Sequence, residues 1–328
     1  MLVGVVIIGR NEGDRLKVCL DSVQGNAVVY VDSESTDDSV IVAEKAAAHV
    51  VKLDMSKPFS AARARNEGLK ALIDQYPQLE YVQFVDGDCE VVEGWLESSI
   101  AFLESSPGYG VVCGRRQERF PDQTIYNLLC DIEWDTPIGD ALACGGDALM
   151  RVAALTQVGG YDPSFIAGEE PELCFRLREN GWKIARIDEQ MTRHDAAIYH
   201  LKQWWKRSLR SGYAYTLNNL KHGHKAPEYF KSKELKSIKV WFCVLSFLFV
   251  INILCLSPYI LLASLGLLML QIVRVGAKDQ RTIRSKGVVS AMLYSAFNLL
   301  AKIPQFLGHI RCLKKHRRGV SHTIVEYK

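Results

Sequence analysis

The chain has 328 residues, of which 48% are hydrophobic, and this is enough for more than one domain with a sizeable core. Residues 1–200 contain 18 Lys/Arg and 33 Asp/Glu, a net charge of −15, whereas residues 201–328 contain 22 Lys/Arg and 4 Asp/Glu, a net charge of +18. The basic part favours an anionic partner, and its long apolar runs favour membrane lipid and argue against nucleic acid.

Nine cysteines are scattered along the chain, and no two of them form a CxxC pair. A zinc site therefore has no support in the sequence. Their odd number, irregular spacing and apolar surroundings indicate buried, reduced thiols of a cytosolic protein. The first apolar run, residues 2–8, is too short for a signal peptide and has no basic stretch before it, so we interpret it as a buried strand.

Short apolar strands alternate with helices over the first hundred residues. This alternation is typical of a mostly parallel sheet that helices cover on both faces. Ligands of such sheets bind beyond the carboxyl ends of the strands, and polar clusters follow the first, second and fourth predicted strands. We predict strands at residues 3–8, 28–31, 50–53 and 81–85, and helices at residues 12–23, 36–47 and 59–76.

The next hundred residues have a less regular pattern. We predict further strands at residues 111–114, 143–150 and 183–187, a helix at residues 172–180, and a basic, aromatic-rich helix at residues 200–220. We assign residues 1–220 to one catalytic domain, with a donor half over 1–115 and an acceptor side over 116–220.

Residues 221–328 form a basic, hydrophobic region. Residues 240–273 carry no charge over 34 positions and are flanked by basic residues on both sides. Because positive flanks favour the cytoplasm, we predict a hairpin of two helices that turns at Ser257–Pro258, either crossing the bilayer or entering it only partly. Residues 287–310 are predicted to be an amphipathic helix in the membrane interface. The alternative for these segments is a buried helical pair in a large soluble core.

Asp86, Gly87 and Asp88 follow the fourth predicted strand. Residues two apart in an extended chain point to the same side, so the two carboxylates form an oxygen-rich site suited to Mg²⁺ or Mn²⁺. Such an ion neutralises a leaving diphosphate. A solvated acidic turn is the alternative reading.

Five motifs of this sequence resemble those of the family 2 glycosyltransferases, in the same order and spacing. The resemblance covers roughly residues 1–215 and implies the GT-A fold, a Rossmann-like mixed, mostly parallel sheet with helices on both faces. The motifs are residues 4–12 (GVVIIGRNE), 31–39 (VDSESTDDS), 64–68 (ARNEG), 85–88 (VDGD) and 168–176 (GEEPELCFR).

The resemblance also implies a role for individual residues. Arg65 would approach the pyrophosphate, as its guanidinium suits, or be a helix-surface residue. Ser33 stands where a second acid is frequent, which leaves the choice between uridine and guanosine open. The nucleoside pocket would be formed by Gly9, Asn11, Glu12, Asp32 and Ser33. The metal would be held by Asp86, Asp88 and His194. The alternative role of Asp86 is to bind the ribose, and the alternative role of His194 is structural.

An inverting transferase needs a base for the acceptor hydroxyl. The resemblance points to Glu170 as this base, with Glu169 as the second candidate. The alternative is that these acids only stabilise a helix N-terminus, and the two roles are compatible. Asp147 either binds an acceptor hydroxyl or satisfies local backbone. Trp204 either stacks on a sugar or at the membrane interface, or packs its helix on the catalytic domain.

These observations predict an inverting, metal-dependent glycosyltransferase that uses a nucleotide sugar, with a UDP-sugar favoured. The acceptor would be a lipid or lipid-linked saccharide at the cytoplasmic face of the plasma or inner membrane, in exopolysaccharide, cell-envelope glycan or glycolipid synthesis. Residues 203–207 (QWWKR) do not match the QxxRW motif of processive synthases. The alternatives are transfer to a polyprenyl phosphate, a nucleotidyltransferase, and a catalytically inactive membrane scaffold.

Overall fold

The computed structural model describes residues 3–46, 48–225 and 232–319, which divide into one unit that ends at Tyr199 and a second that begins at His200. The strands of the first unit are β1 Val3–Gly9, β2 Ala27–Asp32, β3 His49–Lys52, β4 Tyr81–Asp86, β5 Cys89–Val91, β6 Tyr109–Glu118, β7 Gly139–Asp140, β8 Ala148–Arg151 and β9 Lys183–His194. Its helices are α1 Asp14–Asp21, α2 Ser39–Lys45, α3 Ala61–Gln75, α4 Trp95–Ser105, α5 Ile125–Trp134, α6 Val152–Val158 and α7 Glu169–Glu179.

The strands form one mixed sheet in the order β3-β2-β1-β4-β8-β6-β9-β5, and β7 pairs with β9. Strands β1 to β4 pair in parallel with one another, as do β6 and β9. Strand β8 lies antiparallel between β4 and β6, and β5 and β7 are antiparallel to β9. The sheet is therefore parallel in its first half, as the strand–helix alternation predicts, and mixed in its second half.

The core of the sheet consists of the apolar strand residues that the sequence identifies. Val5, Val6 and Ile7 of β1 and Val82 and Phe84 of β4 have no exposed surface. A strand that is buried on both faces reads as a continuous apolar run, which explains why these strands are visible in the sequence.

Strand β8 begins at Ala148 rather than at residue 143, and two other elements near the predicted site extend beyond their sequence-based boundaries. Strand β9 runs to His194 rather than to residue 187, because its second half pairs with β6 and with β5. Helix α7 begins at Glu169 rather than at residue 172, after Gly168 in the left-handed conformation with φ of 78°. Both shifts bring residues of the predicted site into regular structure.

The second unit consists of helices. They are α8 Leu201–His222, α9 Ser232–Cys255, α10 Pro258–Gly276, α11 Gln280–Leu300 and α12 Lys302–Arg317. Helix α8, which we assigned to the catalytic domain, belongs to this unit. There it crosses α12 closely, since a Cβ on Gly308 would lie 2.0 Å from the carbonyl oxygen of Leu209.

Three helical stretches among the described residues are long and apolar enough to cross a membrane: α9, α10, and α11 together with α12. Helices α9 and α10 are separated at Leu256 and Ser257, where the sequence predicts the turn of a hairpin. The predicted interfacial helix over residues 287–310 is divided between α11 and α12, with Ala301 between them. Phe249, Leu254 and Leu262 are 68%, 74% and 65% exposed, and such apolar surface is consistent with membrane association.

Gly68→Ala tests the close approach of α3 to the sheet. Alanine favours a helix over glycine by about 1 kcal/mol. A methyl group here, however, would lie 2.4 Å from Cγ1 of Val6 and 3.0 Å from Cγ2 of Val31, and overpacking costs about 1–3 kcal/mol. We therefore expect a lower midpoint for thermal unfolding of the full chain. Gly108→Ala is the matched control, since its added methyl meets no atom within 4 Å; an unchanged midpoint for Gly68→Ala would contradict this packing.

Candidate active site

Three loops follow β1, β2 and β4 at one edge of the sheet. The register pairs Gly9, the last residue of β1, with Asp32, the last residue of β2. The backbone N–H of Ser33 donates to the carbonyl of Gly9 (3.1 Å), and the N–H of Gly87 donates to the carbonyl of Ile8 (2.8 Å). These hydrogen bonds join the three loops that carry the predicted donor and metal residues.

Asn11 and Glu12 hold the loop after β1. Asn11 has a φ of 57°, its N–H donates to Oγ of Ser35 (2.9 Å), and its Oδ1 accepts from the N–H of Thr36 (2.7 Å). The N–H of Glu12 donates to Oγ of Ser39 (3.2 Å). In this structure both residues tie the loop after β1 to the loop after β2, and their contact with a nucleoside stays a prediction.

Asp32 and Ser33 are buried, with 4% and 2% exposure. Oδ1 of Asp32 accepts from the hydroxyl of Tyr30 (3.2 Å), and Oδ2 accepts from the N–H of Ser35 (3.0 Å). Asp32 therefore shapes the loop after β2 from within. A direct contact of either residue with the nucleoside stays a prediction as well.

The turn after β4 carries the two carboxylates of the DxD motif. The side chain of Asp86 is 28% exposed and that of Asp88 is 6% exposed. A Cβ on Gly87 would lie 3.1 Å from Cγ of Glu12 and 3.3 Å from the carbonyl oxygen of Ile8, so the turn lies directly against the loop after β1. Asp86 is the more accessible of the two carboxylates.

Arg65 of α3 is a buried cation among acidic groups. One terminal nitrogen donates to Oδ1 of Asp86 and the other to Oε1 of Glu169, both at 2.9 Å, and Glu170 lies 3.5 Å away. Its guanidinium also lies over the ring of Tyr161. The helix-surface alternative for Arg65 is excluded, because its side chain is only 2% exposed. A contact with pyrophosphate stays a prediction.

Glu169 and Glu170 occupy the first turn of α7. Glu169 is nearly buried and bound to Arg65, whereas the side chain of Glu170 is 17% exposed. Burial, followed by the charge of Glu169, raises the pKa of Glu170 to about 7. Such a carboxylate can accept a proton near neutral pH, so the arrangement favours Glu170 over Glu169 as a general base.

His194 ends β9 beside the DxD turn. Its Nε2 lies 3.2 Å from Oδ1 of Asp88, and its ring packs edge-to-face on Trp134, with ring centres 4.7 Å apart. Burial, and next the positive charge of Arg116, lower the pKa of His194 to about 4. The imidazole is therefore neutral at physiological pH, which is the form that binds metal ions.

Arg116 and Thr192 belong to this site, although the sequence analysis did not identify them. Arg116 is paired with Asp147 at 2.7 Å, and the hydroxyl of Thr192 donates to Asp147 at 2.7 Å. Asp147 has no exposed surface and also accepts from the N–H of Asp86 (3.2 Å). Asp147 thus hydrogen-bonds neighbouring backbone in this structure, and its contact with an acceptor hydroxyl stays a prediction. The adjacent pair Arg115–Arg116, after an apolar strand, was the available signal.

Trp204 lies in the second unit and is 5% exposed. It packs edge-to-face on Phe297, with ring centres 5.2 Å apart. This contact packs Trp204 on α11 within the second unit; a contact with a sugar or with the membrane interface stays a prediction.

Two groups of three metal-ligating side chains occur among the described residues: Asp88, Cys89 and His194, and Asp86, Cys89 and Asp147. Cys89 offers a soft sulfur ligand, which suits Mn²⁺ and Mg²⁺ less well than carboxylate oxygens do. Asp147 is already paired with Arg116. Asp86, Asp88 and neutral His194 remain, and this set of oxygen and nitrogen ligands fits Mn²⁺ or Mg²⁺.

Residues 4–147 match the family model described as glycosyl transferase family 2. The pre-mycofactocin glycosyltransferase of Mycobacterium tuberculosis is 27% identical over an alignment of 234 residues. The alignment covers 64% of this chain and 46% of that protein. The chain thus spans about half the length of this curated relative. The succinoglycan biosynthesis protein ExoA of Rhizobium meliloti is 47% identical over 45 residues, 14% of each chain.

Two solved structures share the fold. The mannosyltransferase PcManGT from Pyrobaculum calidifontis, in complex with GDP-Man and Mn²⁺, has a TM-score of 0.56 at 18% identity and covers 95% of this chain and 86% of its own. The glucosyl-3-phosphoglycerate synthase of M. tuberculosis, in complex with Mg²⁺ and UDP, has a TM-score of 0.50 at 18% identity over 68% of this chain and 79% of its own. The mixed sheet is of the GT-A type, and residues 4–147 of the chain contain a glycosyl transferase family 2 domain.

Proposed function

We propose that this glycosyltransferase moves a sugar from a nucleotide-sugar donor, with a UDP-sugar favoured, to a lipid or lipid-linked saccharide, with inversion at the anomeric carbon. The observation that carries the proposal is a connected set of contacts. Asp86 and Glu170 both lie within 3.5 Å of buried Arg65, and Asp88, two residues after Asp86, lies 3.2 Å from His194. Burial raises the pKa of Glu170 to about 7, and carboxylates with such raised pKa values are frequent at functional sites.

Asp86, Asp88 and His194 would hold Mn²⁺ or Mg²⁺, which supplies charge neutralisation for the departing nucleoside diphosphate. The two relatives with solved structures contain such an ion together with a nucleotide or nucleotide sugar, and this supports the assignment. The nucleotidyltransferase alternative is set aside because the family model is that of a glycosyltransferase.

Glu170 would take the proton of the acceptor hydroxyl while the hydroxyl oxygen forms its bond to the anomeric carbon. The bond from that carbon to the diphosphate breaks, and the nucleoside diphosphate leaves with the electron pair. Arg65 holds Glu169 and Asp86 on either side, which fixes the direction from which the base approaches.

The second unit supports a membrane-bound acceptor. Helices α9 and α10 have 24 and 19 residues, or about 36 and 28 Å at 1.5 Å per residue, against a hydrocarbon core of about 30 Å. The two helices are therefore long enough to cross as a hairpin. Basic residues at both outer ends favour a cytoplasmic location for those ends, and we propose the same location for the active site.

Asp88→Ala tests the metal and donor site. We expect metal-dependent hydrolysis of the preferred donor, within a panel of UDP- and GDP-sugars, to fall at least about 100-fold, because a carboxylate beside His194 is lost. The assay measures release of UDP or GDP by the full chain in detergent, with Mn²⁺ or Mg²⁺. Asp54→Ala, in an exposed loop, is the control and should match the wild type. No turnover and no nucleotide binding by the wild type would favour the scaffold alternative.

Glu170→Gln tests the general base. Because Glu170 accepts a proton only when ionised, wild-type transfer to a lipid extract should rise with pH through about 7. The variant should lose this pH dependence, and its rate of transfer should be about 10²- to 10⁴-fold lower. It should still bind the donor. Glu179→Gln, at the exposed end of the same helix, is the matched control. Full transfer by Glu170→Gln would instead favour an acceptor that is already ionised, such as a polyprenyl phosphate.

Ser257→Cys tests whether the hairpin crosses the bilayer. In a variant whose Cys243 and Cys255 are changed to Ala, we expect a membrane-impermeant maleimide to label residue 257 from outside right-side-out vesicles. Lys278→Cys, an exposed position after α10, should be labelled only after permeabilisation. Labelling of both positions only after permeabilisation would show that the hairpin enters the bilayer without crossing it.

A further inference from the structure

Arg116 is a partly buried cation, with 15% of its side chain exposed, to which the proposed reaction gives no role. It lies on β6, where its terminal nitrogen is 2.7 Å from Oδ2 of Asp147 and 3.6 Å from Oδ2 of Asp86. Its guanidinium carbon lies 5.5 Å from the centre of the Trp134 ring. One side chain thus contacts a predicted metal ligand, a buried acid and an aromatic ring.

Asp147 is the anchor of this arrangement. It has no exposed surface, and it accepts hydrogen bonds from the backbone N–H of Asp86 (3.2 Å) and from the hydroxyl of Thr192 (2.7 Å). It therefore joins the end of β4 to β9. A buried carboxylate is costly without a paired cation, and Arg116 supplies that cation.

The Arg116 guanidinium also contacts His194, another predicted metal ligand, indirectly through Trp134. Trp134, over which Arg116 lies, packs at 88° on the ring of His194, with ring centres 4.7 Å apart. Asp86 and His194 lie on strands that are not neighbours in the sheet. Arg116 is therefore a common support for residues that must act on one ion.

We propose that Arg116 is a positioning residue that fixes Asp86 directly, and His194 through Trp134, in the arrangement that receives a divalent cation and the diphosphate of the donor. The inference rests on the proposed function, since it assigns a support to that site.

A positioning role and a purely electrostatic role of Arg116 predict opposite changes in the affinity for Mn²⁺ when the arginine is removed. Removing a cation close to a metal site would, by Coulomb's law alone, strengthen the binding of another cation. Loss of positioning has the opposite effect, because ligands held in the correct geometry bind more tightly than mobile ones. A weaker affinity for Mn²⁺ after removal of Arg116 therefore indicates positioning.

The experiment measures Mn²⁺ binding to the full chain in detergent by electron paramagnetic resonance, with UDP or GDP present and without turnover. We expect Arg116→Gln to weaken Mn²⁺ binding at least about tenfold. Arg116→Lys keeps the charge but loses the planar guanidinium, so its affinity for Mn²⁺ should lie between those of Arg116→Gln and the wild type. Binding that is unchanged or tighter in Arg116→Gln would overturn the proposal.

Two further variants control for folding. Arg116→Gln combined with Asp147→Asn removes both charges of the pair, and it should bind Mn²⁺ as weakly as Arg116→Gln alone, because the pair acts as a unit. Arg151→Gln, which removes a partly buried arginine at the other end of β8, should lower the unfolding midpoint but leave Mn²⁺ binding unchanged. A wild type that binds neither Mn²⁺ nor nucleotide would contradict the proposed function itself, whereas wild-type affinity in the double variant would contradict only the role of Arg116.

Discussion

The buried guanidinium of Arg65 holds the candidate site together. It pairs with Asp86 from β4 and with Glu169 from α7, both at 2.9 Å, so it joins two elements that are far apart in the chain. Carboxylates at such short range repel one another unless a cation lies between them. Arg65 reaches this position because α3 lies close to the sheet, where Gly68 faces Val6 without a side chain between them.

The electrostatic properties of the site follow from this burial. The same low-solvent environment that strengthens the ion pairs of Arg65 raises the pKa of Glu170 and lowers the pKa of His194. The consequence is a proton acceptor and a neutral imidazole at one edge of the sheet near neutral pH. Partly buried Arg116 and buried Asp147 form a second ion pair that also borders Asp86.

The sequence was informative where one element carries its own signal. Asp86 and Asp88 follow a continuous apolar strand, and their place at the sheet edge could be predicted from that run alone. The burial of Asp147 could not be predicted from the sequence, because it depends on Arg116 and Thr192. These residues are distant in sequence and meet Asp147 only through strand pairing. Likewise, β9 reaches His194 because β5 and β6 pair with its polar second half, whose composition gives no strand signal. Pairing between distant strands is a property of the whole sheet.

The central claim is that Asp88 and His194 bind one divalent cation beside the donor diphosphate. The most direct measurement is a crystal structure of the full chain with Mn²⁺ and UDP or GDP, with the ion located by anomalous scattering. We expect one anomalous peak within about 2.3 Å of both a carboxylate oxygen of Asp88 and a ring nitrogen of His194, next to the diphosphate. A bound nucleotide whose Mn²⁺ lies away from these two side chains, or no ion at saturating Mn²⁺, would contradict it.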